Sequence, residues 1–278
     1  MFFNPATNGG YLANTLRTIH RNNKDKIARK RRFPSEWHKS LSRNRQKEEE
    51  LVEIDDDTKE KLQFLVNANC KTQHQVIKQK MIETFHVRRG KNIDILKMFP
   101  RFTDTLGLVE EDFKALFPEY IPNTFQEKYR NDRENVLKIF QKVTNIPLNE
   151  SYTDNSIKQT IALSRMLPPL PKGKKKIATQ LSSVQAFANK LLVFQQDSSS
   201  LIEVLNKSGN RQPYILGRGP SKAAISDFVI VVNSQVFPEK FEAFIDALDY
   251  LFKIHFVLNL EYDQNLEQFF KFLQVSYY

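Results

Sequence analysis

Apolar residues recur at helical spacing through the first two thirds of the chain and give way to short runs of β-favouring residues in the last third. Thr58 suits an N-cap, and Leu62, Leu65 and Val66 follow it to predict a first helix. Val76, Ile77, Met81 and Phe85 lie one to four residues apart and predict a second over about 72–88, while 93–99 reads as a short helix stopped by Pro100. Another is predicted at 109–117, with Glu110, Glu111 and Asp112 at the positive end of its dipole and Pro118 behind it. The broadest apolar face, Phe125, Tyr129, Val136, Leu137, Phe140 and Val143, predicts a single long helix over 124–143, and a further helix is expected over 155–166.

Beyond residue 180 the pattern predicts strands at 191–194, 214–216, 227–232 and 256–260. Asn233-Ser234 is expected to turn the chain. Phe241, Phe244, Ile245, Leu248 and Phe252 form a stripe that predicts a helix over 238–254, with Pro238 in its first turn, and a last helix is expected over 265–275. Between the two patterns lies Leu167-Pro-Pro-Leu-Pro-Lys-Gly-Lys-Lys-Lys176, where prolines remove backbone donors and the lysines have no core to join. The expected class is α+β: a disordered charged arm at 1–57, a helical domain at 58–167, a Pro/Lys linker at 168–180 and a small α/β domain at 181–278. No internal repeat is seen.

Charge adds a functional direction. The net charge of +10 favours anionic partners, nucleic acid or acidic protein surfaces. Residues 17–47 hold twelve Lys or Arg against Asp25 and Glu36, and residues 48–60 then reverse the sign with eight acids and one Lys. The densest runs are 26–32 (Lys26, Arg29, Lys30, Arg31, Arg32) and 172–176 (Lys172, Lys174, Lys175, Lys176), both of which resemble nuclear-import signals and suit nonspecific phosphate contact. Trp37, beside the first run, can stack on a base or dock the arm. Cys70 is the only cysteine, so the chain makes no internal disulfide; the N-terminus has no secretion-signal pattern, and the longest apolar windows elsewhere are interrupted by Lys, Asp or Asn, so no membrane span is expected. An intracellular, nuclear location is expected.

The candidate chemistry is sparse. Gly217-Arg-Gly-Pro-Ser-Lys222 follows an expected strand but lacks the spacing of a phosphate-binding loop, and Pro220 removes an amide, so a surface turn is expected. His20, His38, His74, His86 and His255 show no metal-binding spacing; a packed role is expected for His255 and a capping or surface role for His86. Asp227, Asp246, Asp249, Glu261 and Asp263 would have to converge to hold the ions of a two-metal nuclease, and Asp246 with Asp249 reads as a solvated helix face. No cofactor and no catalytic residue is expected.

Met81-Ile-Glu-Thr-Phe-His-Val-Arg-Arg89, Ile95-Leu-Lys-Met-Phe-Pro-Arg-Phe102 and Asp112-Phe-Lys-Ala-Leu-Phe-Pro118 resemble a series found in animal proteins, and so do Gln212-Pro-Tyr-Ile-Leu216 and Phe228-Val-Ile-Val-Val-Asn-Ser-Gln-Val-Phe237. Over residues 72–278 the chain resembles the C-terminal region of the sterile alpha motif domain-containing protein 3-like family. The motif that names the family has no counterpart here, so its interaction role does not carry over. The family's dispersed occurrence implies descent from a mobile element, and the resemblance assigns no catalytic residue.

The leading expectation is a non-enzymatic nuclear interaction protein that binds nucleic acid weakly. A mobile-element-derived nucleic-acid-processing enzyme or accessory factor competes with it. A protein-interaction module with an apolar patch at Phe269, Phe270 and Phe272 is a third reading.

Overall fold

The computed structural model describes residues 3–4, 9–10, 54–90, 94–143, 151–167, 190–197, 200–208, 212–263 and 265–278. The arm expected at 1–57 therefore lies outside the described residues, apart from 54–57 and a two-residue antiparallel pairing of Phe3–Asn4 with Gly9–Gly10, and the linker at 168–180 lies wholly outside them. The described chain is α+β. Among the described residues ten α-helices accompany one mixed four-stranded sheet.

The helical half begins with α1 (Asp56–Asn67), capped by Asp55, whose carboxylate accepts from the Thr58 amide at 2.8 Å; Thr58 itself is buried one turn inside the helix. α2 (His74–Glu83) is shorter than the pattern predicted and passes into a 3-10 turn at Val87–Arg89. α3 (Ile95–Met98) and a second 3-10 turn (Pro100–Thr103) lead to α4 (Leu108–Leu116), preceded by Gly107 at a φ of 82°. The long helix expected over 124–143 is two helices, α5 (Thr124–Asn131) and α6 (Arg133–Val143). They part at Asn131-Asp132, two weak helix formers whose side chains compete for backbone groups. α7 (Asn155–Met166) begins on Asp154, which accepts from the amides of Ser156 and Ile157.

In the other half, β1 (Leu192–Gln196) crosses through α8 (Leu201–Ser208) to the parallel β2 (Tyr214–Gly219). β3 (Asp227–Val232) and β4 (Gln235–Phe241) then extend the sheet antiparallel in the order β1-β2-β3-β4. Asn233 and Ser234 turn the last hairpin with φ of 49° and 62°, the positive values a two-residue primed turn requires. Pro238 lies on the edge strand β4, where a missing amide is tolerated, and not in a helix as the pattern predicted. α9 (Phe244–Val257) starts later and runs further than expected, so residues 256–260 are its end and the turn behind it, not a strand. α10 (Glu267–Ser276) closes the fold. No described helix is long and apolar enough to cross a membrane.

α9 organises the core. Twelve of its fourteen side chains are buried, so its apolar residues surround it on all sides, as expected of a helix with no solvent face. It packs on one face of the sheet and against α4, α5 and α7. The opposite sheet face, with Tyr214, Leu216, Val229 and Val231, is covered by Leu201, Val204 and Leu205 of α8. One apolar cluster runs from Leu65 to Tyr277, so across the boundary expected at 168–180 the core is continuous. Polar contacts tie the same halves together: Arg89 donates to the carbonyls of Phe256 and Val257 at the end of α9, and Glu239 accepts from the Gly107 amide at 2.8 Å.

Gly219 at the end of β2 is a close-approach glycine: a Cβ there would lie 2.3 Å from the carbonyl oxygen of Ala224. That oxygen and the next nearest atom, the Ile225 Cα at 2.9 Å, both belong to the backbone, which yields little. Gly219→Ala is expected to cost about 1–3 kcal/mol through overpacking, read as a lower urea midpoint with an unchanged slope; a midpoint within error of the parent would show that the 220–226 turn relaxes freely.

Candidate functional site

The nine cationic residues proposed from sequence, Lys26, Arg29, Lys30, Arg31, Arg32, Lys172, Lys174, Lys175 and Lys176, lie outside the described residues, as do His20, Trp37 and His38. The nearest described residues on either side of the second run are Leu167 and Lys190. Leu167 is buried, Leu191 is buried, and Lys190 pairs with Asp263 at 2.7 Å.

The five candidate carboxylates have separate surroundings. Asp227 receives the Nε and Nη2 of Arg218 at 2.7 and 2.6 Å. Asp263 takes Lys190 and the Asn265 amide, and these hydrogen bonds hold its carboxyl below the ordinary aspartate range against the upward push of burial. Asp246 is half-buried in the first turn of α9, and Glu261 is exposed. Asp249 is buried, which corrects the solvated face expected for it: it accepts from Lys253 at 2.8 Å, from Gln126 at 3.2 Å and from the Tyr278 hydroxyl. Among the described residues no three His, Cys, Asp or Glu side chains gather to hold a metal ion, so these carboxylates do not form the two-metal arrangement.

Lys253 is the centre of an ionic group that sequence reasoning missed. Its ammonium contacts both Asp249 and Glu110 at 2.8 Å and lies near the faces of Tyr120 and Phe113. Burial works against its charge, but the two carboxylates outweigh burial and hold its pKa above the ordinary lysine value. Burial and the Asp249 charge push the Tyr120 phenol up to about 12. Asp249 and Lys253 four residues apart in an apolar helix were the available signal. Glu110, 143 positions away, was not visible from spacing. The group ties α9 to α4.

His86 is exposed; His255 is buried, with its Nδ1 2.8 Å from the Leu251 carbonyl oxygen and its ring beside Tyr262 and Phe270. Burial lowers the His255 pKa to about 4, opposed only in part by that carbonyl. The patch expected at Phe269, Phe270 and Phe272 is not on the surface, because all three rings are buried in the core.

The turn after β2 forms as expected, with Ser221 bridged to Ala224. Its neighbourhood holds a cavity. Strand register places Gln195 beside Arg218 and Arg218 beside Asp227, one cross-strand row on the sheet face that α8 covers. The next row inward on that face is Val193, Leu216 and Val229, so the face changes from apolar to polar where the parallel strands end. Arg218 and Asp227 line an open cavity of about 340 Å³ there, together with Asp197, Ser226 and Leu201 at the start of α8.

No family model, curated protein or solved structure matches the chain.

Proposed function

We propose that the chain is a non-catalytic nuclear interaction protein that holds anionic partners, nucleic acid foremost, through the cationic runs at 26–32 and 172–176 on an α+β body. The observation that carries this reading is the anchoring of the second run. Leu167 and Leu191 on either side of it are both core residues. Covalent reach alone keeps Lys172 within roughly 18 Å of Leu167. Four lysines are thus tethered to the folded body at both ends, which limits the entropy lost when they settle on phosphates. Within the body the buried Arg88 is answered by the buried Asp112, and the buried Lys253 by the buried Asp249 and the exposed Glu110, which makes them structural groups.

The test is a titration of the full chain with duplex and single-stranded nucleic acid across a salt series. Each phosphate contact adds about 0.9 to the steepness of log affinity against log salt on a duplex, so replacing Lys172, Lys174, Lys175 and Lys176 by Ala is expected to flatten the slope by up to ~3.6. Replacing all nine cationic residues should remove most binding. Unchanged affinity in that variant sinks the proposal, and cleavage of either substrate overturns its non-catalytic part.

A further inference from the structure

We infer that the cavity at the carboxyl ends of β1 and β2 is a pocket for a guanine base. Its position is where open sheets with parallel strands leave a crevice, beyond the strand ends and beside the start of the crossover helix. Its volume of about 340 Å³ falls within the range of small-ligand pockets.

The donor that selects the ligand is Arg218. A guanidinium carries five N–H donors in one plane, and Asp227 takes one from Nε and one from Nη2. The carboxylate therefore fixes the plane and leaves the far edge, with both Nη1 donors and the second Nη2 donor, for a ligand with two adjacent acceptors. Carboxylate, phosphate and the O6/N7 edge of guanine all have that form.

Charge decides among them. Among the described residues Asp197 and Asp227 line the cavity with Arg218, so two carboxylates oppose one guanidinium there and an entering anion meets net negative charge. A neutral base does not. Guanine also presents N–H donors on its Watson–Crick edge, for which the exposed Asp197 carboxylate is an acceptor, while Leu201 offers apolar contact to the ring. Adenine, with an amino donor where guanine has O6, would set donor against donor at Arg218. The site therefore reads a base where the cationic runs meet only phosphates, and the two activities are separable.

The experiment is equilibrium binding of GMP, AMP, CMP and 7-deaza-GMP to the full chain, followed by NMR or calorimetry. All four carry the same phosphate, so contact with the cationic runs cancels in the comparison. GMP is expected to bind about 5- to 150-fold more tightly than AMP, the discrimination of one bidentate arginine contact. The 7-deaza analogue, lacking the N7 acceptor, should lose most of that preference with no change to the protein. Arg218→Lys should abolish it, with circular dichroism checking that the variant is folded, while the variant with Lys172, Lys174, Lys175 and Lys176 changed to Ala should keep it. Equal binding of GMP and AMP, undetectable binding of both at millimolar concentration, full retention by 7-deaza-GMP, or survival of the preference in folded Arg218→Lys would each overturn the inference. A lost base preference with intact salt-dependent polymer binding would leave the proposed function standing, and the reverse would leave only the pocket.

Discussion

Arg88→Leu is expected to destabilise the fold by about 3–5 kcal/mol, because it leaves a carboxylate buried without its cation. Arg88 is fully buried, and it forks onto Asp112 at 2.6 and 2.7 Å, donates to the Met81 carbonyl at 2.7 Å and sits 4.8 Å from the centre of the Phe99 ring. It joins the 3-10 turn behind α2 to α4, so its loss loosens the helical half at its middle. Replacing both partners, Arg88→Met with Asp112→Leu, should restore much of the loss, since two apolar groups leave nothing to desolvate. The pH dependence gives an independent reading. Burial raises the Asp112 pKa despite the opposing pull of Arg88, so the carboxyl is already easier to protonate in the folded chain than in the unfolded one. Without Arg88 that pull is gone and the folded pKa rises further. A carboxyl raised on folding costs stability above its folded pKa and ceases to cost it once pH falls below both values. The deficit of Arg88→Leu should therefore be smaller at pH 4 than at pH 7 in urea unfolding. A deficit that is the same at both, or a double variant no better than the single one, would show that Arg88 acts through packing alone.

The parts of this fold that were legible in the sequence are those where local chemistry and tertiary burial agree. α7 and β3 occupy the residues their patterns predict, and Asn233-Ser234 turns the hairpin because Asn and Ser tolerate a left-handed backbone there. Where the two disagree, burial won. Residues 256–260 are rich in β-favouring side chains, yet Phe256 and Val257 complete α9 because continuing the helix keeps their backbone bonded inside the core. Residues 235–241 escaped notice because Pro238 and three charged or amide side chains break the alternation, which an edge strand permits and a central one does not. The cavity was hidden for a different reason. Arg218 and Asp227 are nine residues apart at the end of β2 and the start of β3, and only cross-strand register makes them neighbours. Lys253 and Glu110 meet across the core by packing that no spacing encodes.

His255 should make the protein acid-sensitive between pH 6.5 and 4. The imidazole is buried among Leu251, Tyr262 and Phe270, and its Nδ1 faces a backbone carbonyl oxygen, which places the proton of the neutral ring on Nδ1. Charging it there means placing an imidazolium in the core. Burial accordingly depresses its folded pKa from 6.5 to about 4. A histidine depressed on folding contributes stability that is present above its unfolded pKa and lost as pH falls through the folded value, because below pH 6.5 the unfolded chain takes up a proton that the folded chain refuses. The difference of about 2.5 pKa units corresponds to roughly 3 kcal/mol at pH 4. His255→Phe keeps an aromatic ring in the site and removes the proton, so its unfolding free energy should fall less steeply over that window. The comparison must be made as a difference between the two profiles, because Asp112 and Glu239, both raised by burial, act in the opposite direction in parent and variant alike. Urea unfolding at pH 7.5, 6, 5 and 4 measures it: profiles separating by about 3 kcal/mol on the acid side place the neutral histidine in the core, and parallel profiles would mean that the helix end opens to admit water before the ring is charged.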